Sequence, residues 1–303
     1  MSTQQWWQSD RWALCAPDTY VLKHGAGGAG AEPFKLALME LATRGGFQFV
    51  KEEVKRAFGR KRQQTFVAQG PKPGRPREVS LAAIYDLHAG LASQPTSAGG
   101  VGVPIDELVK RARSTWGSLG GYALRIVLPA LIGQGLYAQE ARGFLFFKWK
   151  TPVLTPAGQQ AKAALEAWAT AGSRDFPELV QQDPGRAVAF AALAGSSLLL
   201  TAALYPELRR LRERIGEEGY NDVNTFYADT SSSSDVSGSD FQWPQFDLDS
   251  LGIDLDFSAF DSIGDISSDI DSGISDAGGS GDSGSDSGGG DGGGGDGGGG
   301  GGD

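Results

Sequence analysis

The chain has 303 residues and a net charge of −10, with a single cysteine, Cys15, which excludes an internal disulfide and any metal site built on a cysteine cluster. The net charge conceals a partition: all 27 lysines and arginines lie at or before Arg214 together with 17 of the 37 acids, so residues 1–214 carry +10 and residues 215–303 carry −20. A basic body of this length accommodates one large or two small domains.

In chain order, Met1 to Asp10 has neither a basic n-region nor an apolar h-region, so no signal peptide is expected and a cytoplasmic body follows. Trp6, Trp7 and Trp12 are expected to pack on the first domain. Pro17 to Lys23 reads as a short element and Gly25 to Gly30 as a loop. Pro33 suits the first turn of a helix whose apolar spacing through Phe34, Leu38 and Leu41 stops at Gly45. Phe47 to Val50 and Thr65 to Ala68 read as strands of a hairpin. Its exposed turn would carry Lys55, Arg56, Arg60, Lys61 and Arg62. A Pro/Gly linker at 71–77, with Lys72, Arg75 and Arg77, closes a first unit at 1–70.

The second unit, 78–172, begins with a helix over Glu78 to Ser93, spaced by Leu81, Ile84, Leu87 and Leu91, then a loop over Gln94 to Gly102. A second helix starts at Pro104, with Asp106 and Glu107 in its first turn as the helix dipole prefers. A third runs from about Leu119 to Gln134 and stops at Gly135. Leu136 to Ala141 and Phe144 to Lys150 read as a second hairpin. Thr155-Pro156 then caps a helix carrying Ala161, Leu165 and Trp168.

Three helices, a two-stranded wing and a further helix follow the order of a winged-helix domain. The stretch from Leu131 through Tyr137 to Leu154-Thr155-Pro156-Ala157-Gly158 resembles the end of the recognition helix, the wing and the final helix of that family. The first unit echoes it. Adding 90 to Leu36, Leu38, Leu41, Gly45 and Phe47 gives Ile126, Leu128, Leu131, Gly135 and Tyr137. The expected fold class is therefore mainly α with small β-hairpins: tandem winged-helix-like units, a C-terminal helix and a disordered acidic tail.

Over residues 173–216 an apolar run gives way to a basic one. Ala187 to Tyr205 carries no charge and is near the minimum length of a bilayer span, and Arg209, Arg210, Arg212 and Arg214 follow it. A packed helix diluted by Gly195, Ser196, Ser197 and Thr201 is the preferred reading; a membrane anchor is the alternative. The tail, 217–303, runs Ser-rich, then acidic and apolar, then Gly and Asp alone. From Gly278 it has no apolar side chain larger than alanine and is expected to be disordered. Between Phe241 and Ile274 acids alternate with Trp243, Phe246, Leu248, Leu251, Phe257 and Phe260. That pattern suits a short interaction motif or a tail that docks on its own body.

Pro17-Asp18-Thr19-Tyr20, the glycine loop and Leu36 to Gly45 resemble the opening of an uncharacterised bacterial family. The resemblance implies a membrane segment, a tandem winged-helix-like cytoplasmic region and a Gly-rich C-terminal tail, in that family's order. It supplies no catalytic residues.

Gly25-Ala26-Gly27-Gly28-Ala29-Gly30 matches G-x-G-x-x-G, but no buried apolar strand leads into it and no βαβ series follows, so no cofactor is expected. His24 and His88, the two imidazoles, build no triad, and the tail carboxylates have no fixed separation or regular metal-ligand spacing. Neither an enzyme, a metal site nor a small-molecule substrate is expected. The basic hairpin and linker suit phosphates or an acidic protein, and Gly74-Arg75-Pro76-Arg77 resembles part of an AT-hook. The Leu119 to Gln134 helix offers only Tyr122, Arg125 and Gln134 for base reading, which favours protein contact. The sequence therefore predicts a non-enzymatic scaffold or adaptor whose partner is a protein or its own tail. Its alternatives are a DNA-binding regulator and a membrane-associated protein anchored through 187–205.

Overall fold

The computed structural model describes residues 14–55, 61–95, 101–144, 147–217 and 263–277. Helix α1 (Ala16–His24) ends at Gly25, whose φ of 82° lets the chain leave the helix. It leads through the glycine loop into α2 (Glu32–Thr43), where nearly every residue from Pro33 onward is buried. A helix buried on nearly every side belongs in the middle of a core. Around α2 lie the hairpin β1 (Phe47–Lys55) and β2 (Lys61–Gln69), α3 (Val79–Ala89), and the short strands β3 (Gln94–Pro95) and β4 (Val101–Pro104). Next come α4 (Ile105–Trp116) and a broken helix of three pieces: α5 (Leu119–Tyr122), a π-turn (Ala123–Val127) and α6 (Leu128–Gly133). Hairpin β5 (Tyr137–Phe144) and β6 (Phe147–Leu154) is followed by α7 (Pro156–Gln182), α8 (Pro184–Ala194), two 3₁₀ turns, α9 (Tyr205–Glu217) and α10 (Ile263–Ala277). The chain is mainly helical with small antiparallel sheets.

The internal echo is present in the backbone, bond for bond. At the end of α2, Arg44, Gly45 and Gly46 donate to the carbonyls of Glu40, Ala42 and Leu41; at the end of α6, Gln134, Gly135 and Leu136 donate to those of Ala130, Ile132 and Leu131. Gly45 and Gly135 both have positive φ, 71° and 75°, the left-handed step that turns a helix end into a strand. Each hairpin also closes on the same point, Gly70 donating to Gly46 and Thr155 to Leu136.

The two repeats share one core. Phe34 of α2 meets Trp116 of α4 and Tyr122 of α5 edge-on, with ring centroids 6.4 and 6.3 Å apart. The stretch expected to be a loop, Gln94 to Gly102, contains β3 and leads into β4. β4 pairs with β2 of the first hairpin, giving a sheet ordered β1-β2-β4-β3, while β5 and β6 pair only with each other. Glycines at 99, 100 and 102 hide β4 in the sequence; buried Val103 holds it in place.

Further details refine or depart from the sequence expectations. The strands of the first hairpin extend to Lys55 and from Lys61, so Lys55, Lys61 and Arg62 lie in the ladder and not in a turn. The third helix is interrupted because Pro129 has no N–H for the carbonyl of Arg125; the preceding turn widens, and Leu128 bonds back to Ala123. The Ala187 to Tyr205 stretch is not one helix: α8 ends at Ala194 and 3₁₀ turns follow at Gly195–Leu200 and Ala202–Leu204. Its Val188, Phe190, Leu198 and Leu199 are buried, with Phe190 stacked on Trp168 at 4.9 Å. Among the described residues no helix is long and apolar enough to cross a membrane. α7 runs from Pro156 to Gln182 with Pro177 inside it.

Candidate functional site: the face covered by the tail helix

Residues 263–277 lie inside the tail expected to be disordered, and there that expectation is corrected: they form α10. Ile266, Ile270 and Ile274 recur every fourth residue and so line one side of it. Ile266 and Ile270 are buried and Ile274 half-buried, against α4 and α2. Gly273 completes the stripe; a β-carbon there would sit 2.6 Å from Ile105 Cγ2, so only glycine permits this approach.

Acids flank the stripe, and each described ion pair of α10 joins it to a base of the body. Asp269 meets Lys51 of β1 at 2.9 Å, Asp271 meets Lys35 of α2 at 2.6 Å, and Asp276 meets Arg62 of β2. Arg113 of α4 caps the helix, donating to the Ala277 carbonyl at 2.7 Å and the Ile274 carbonyl at 3.4 Å, where the helix dipole is negative. Each of these pairs keeps at least one half-exposed partner, and such ion pairs contribute about 0–1 kcal/mol each, whereas burying an isoleucine side chain contributes about 1.5–3 kcal/mol. The isoleucines therefore drive docking, and the charges set register and select an acidic helix.

Of the basic residues singled out in the sequence, Arg62 meets the tail helix, at Asp276. Lys61 pairs with Glu53 at 2.8 Å, and Arg75 grips Asp86 through two bonds of 2.8 Å. Lys72 is exposed and its backbone N–H bonds Gly45; Arg77 is exposed in the same linker; Lys55 faces Lys61 in the hairpin register. Arg56 and Arg60 lie outside the described residues, as do Trp243, Phe246, Leu248, Leu251, Phe257 and Phe260 of the expected tail motif. The sequence reading missed Lys35, the one base within α2, and Arg113, which follows Lys110 and Arg111 on α4.

A second polar group lies in the core. Ser80 Oγ donates to Asp18 Oδ1 at 2.5 Å, and Tyr122 OH to the Ser80 carbonyl at 2.8 Å. Glu40 accepts the free N–H of Ala16 at the start of α1 at 2.6 Å and pairs with Arg44, which reaches Glu78 at 2.7 Å. Burial pushes the Glu40 carboxyl up to about 7, against the opposing pull of Arg44, and raises Asp18 as well. Burial and the carboxyls of Asp18 and Glu40 hold the Cys15 thiol well above its ordinary range, so it stays a protonated core residue. These groups tie α1, α2, α3 and α5 together. His88 bonds the Val67 carbonyl at 2.8 Å and packs on Phe47, with its pKa lowered by burial. The glycine loop follows a helix, α1, and so lacks the strand a dinucleotide fingerprint requires. Among the described residues no group of three or more His, Cys, Asp or Glu is placed to hold a metal ion.

Comparison with protein-family models, with curated proteins and with solved structures gave no match.

Proposed function

We propose that the protein is a non-enzymatic scaffold or adaptor, built on two winged-helix-like units, whose protein-binding face is covered by its own acidic tail. The observation that carries this reading is the seating of α10 on α2, α4 and the first hairpin through an isoleucine stripe flanked by matched charges. Two helix-glycine-hairpin repeats around a shared core support the winged-helix-like description, and the core carboxylates are committed to holding helices together.

The test uses the full chain carrying Ile270→Asp, which places a charge in the buried stripe and releases α10. A fluorescent peptide of residues 263–277 binds this chain and binds the unaltered chain far more weakly. Equal binding to both, or to neither, contradicts the proposal. A DNA-binding regulator is the competing reading, because Lys35, Lys51 and Arg62 would face phosphates once α10 leaves. Salt-sensitive binding of a DNA duplex to the released chain, with no binding of the peptide, would favour that alternative.

A further inference from the structure

We infer that the face under α10 is a receptor for an acidic amphipathic helix of another protein, and that α10 is a resident occupant weak enough to be displaced. This deepens the covered-face reading and rests on it.

The polarity of the contact is the first argument. Every charged contact described across it has its acid on α10 and its base on the body, and the one cap is a guanidinium of the body on carbonyls of α10. A helix of reversed charge would be repelled at Lys35, Lys51 and Arg62 together. The face therefore specifies its ligand: isoleucine-like side chains at three positions spaced by four, a glycine one position before the last of them, and acids on both edges.

The second argument is the composition of α10. Its 15 residues are four Ile, four Ser, four Asp, two Gly and one Ala, so Ala277 is its single strong helix former. Docking must supply the free energy of ordering the segment as well as that of contact. Several weak positions touch nothing that forces the choice. Gly264, Ser268 and Ser272 are exposed, and a β-carbon at Gly264 would meet no atom within 4 Å. Alanine there would strengthen the helix without altering the interface. A segment built only to seal this face has no use for such residues. One that must yield to a competitor depends on them. Covalent attachment offsets the weakness in the resting chain by raising the local concentration of α10.

The test uses two labelled peptides of residues 263–277, one as it stands and one with Gly264→Ala, Ser268→Ala and Ser272→Ala. Each is titrated by anisotropy into the full unaltered chain and into the full Ile270→Asp chain. A second released form carries Ile266→Ser and Ile274→Ser, milder changes confined to the tail's apolar stripe, in case the first does not fold. The stabilised peptide binds the released chain about tenfold more tightly than the native peptide, and it binds the unaltered chain measurably by displacing α10. Replacing Asp269, Asp271 and Asp276 by Asn in the stabilised peptide weakens its binding. Equal affinity of the two peptides for the released chain overturns this inference and leaves the covered face intact. Equal binding of the stabilised peptide to released and unaltered chains places its site elsewhere, and an unweakened Asn peptide removes the selection for acids; either overturns the inference. Absence of any peptide binding to either released form overturns the covered-face reading itself.

Discussion

Gly273 of the tail helix lies so close to Ile105 of the body that a β-carbon on it would sit 2.6 Å from Ile105 Cγ2. Alanine at 273 therefore separates two effects that usually travel together. It favours the isolated helix by about 1 kcal/mol, and it forces α10 away from α4. Gly273→Ala should raise the helicity of the free 263–277 peptide by circular dichroism while weakening its binding to the released chain several-fold.

The charged edges should make docking salt-sensitive. Lys51→Glu turns the attraction to Asp269 into repulsion at a half-exposed site, so the expected loss is about 1 kcal/mol at low salt, shrinking as salt screens the pair. The peptide affinity of the released Ile270→Asp chain, with and without Lys51→Glu, measured at low and high salt, checks this. The contribution of the isoleucines should persist at high salt.

The buried Glu40 should give the fold a dependence on pH of defined sign. Its carboxyl titrates near 7 in the folded chain against an ordinary 4.5, so between those values the folded state holds a proton that the unfolded state has lost. The stability this contributes is fully present below about 4.5 and is lost as pH rises through about 7, to a total of at most about 3 kcal/mol. Asp18, also raised, acts in the same direction, whereas His88, lowered by burial, adds stability that is lost as pH falls below its ordinary 6.5. Comparing urea unfolding of the chain with that of Glu40→Gln across pH 5 to 8 isolates the Glu40 part, because the other two groups remain in both. The difference should favour the unaltered chain increasingly as pH falls.

The paired helix ends predict paired costs. Gly45 and Gly135 both adopt a left-handed backbone, and a β-carbon at Gly135 meets no atom within 4 Å. Gly135→Ala should therefore cost about 1 kcal/mol from backbone conformation alone, and Gly135→Asn less, since Asn tolerates that region. Gly45→Ala should cost a similar amount. Urea unfolding midpoints of the three variants check this.

The sequence made visible what repeats with the period of a helix and ends on a glycine. Leu41-to-Gly45 and Leu131-to-Gly135 could be matched because the same apolar spacing meets the same turn chemistry. The outer half of the first hairpin was not visible: around Lys51, Glu52 and Glu53 both faces of the ladder reach solvent or near it, and the alternation that marks a strand is lost. β4 was obscured by Gly102 and the two glycines before it, and the π-turn was signalled only by Pro129. α10 was missed because Ser, Asp and Gly read as disorder when weighed one residue at a time. The signal was the four-residue spacing of Ile266, Ile270 and Ile274. Gly273 and the flanking acids could not reveal Lys35 and Arg113, which only the packing of α2 and α4 brings to the same face.

Hydrogen exchange of the full chain measures the central claim most directly. With α10 seated, amides of 263–277 are protected, and Ile270→Asp abolishes that protection while raising exchange at the hairpin residues near Lys51 and Arg62 and leaving the α7–α8 pair unchanged. Rapid exchange of 263–277 in the unaltered chain, or an Ile270→Asp chain indistinguishable from it, would contradict the account.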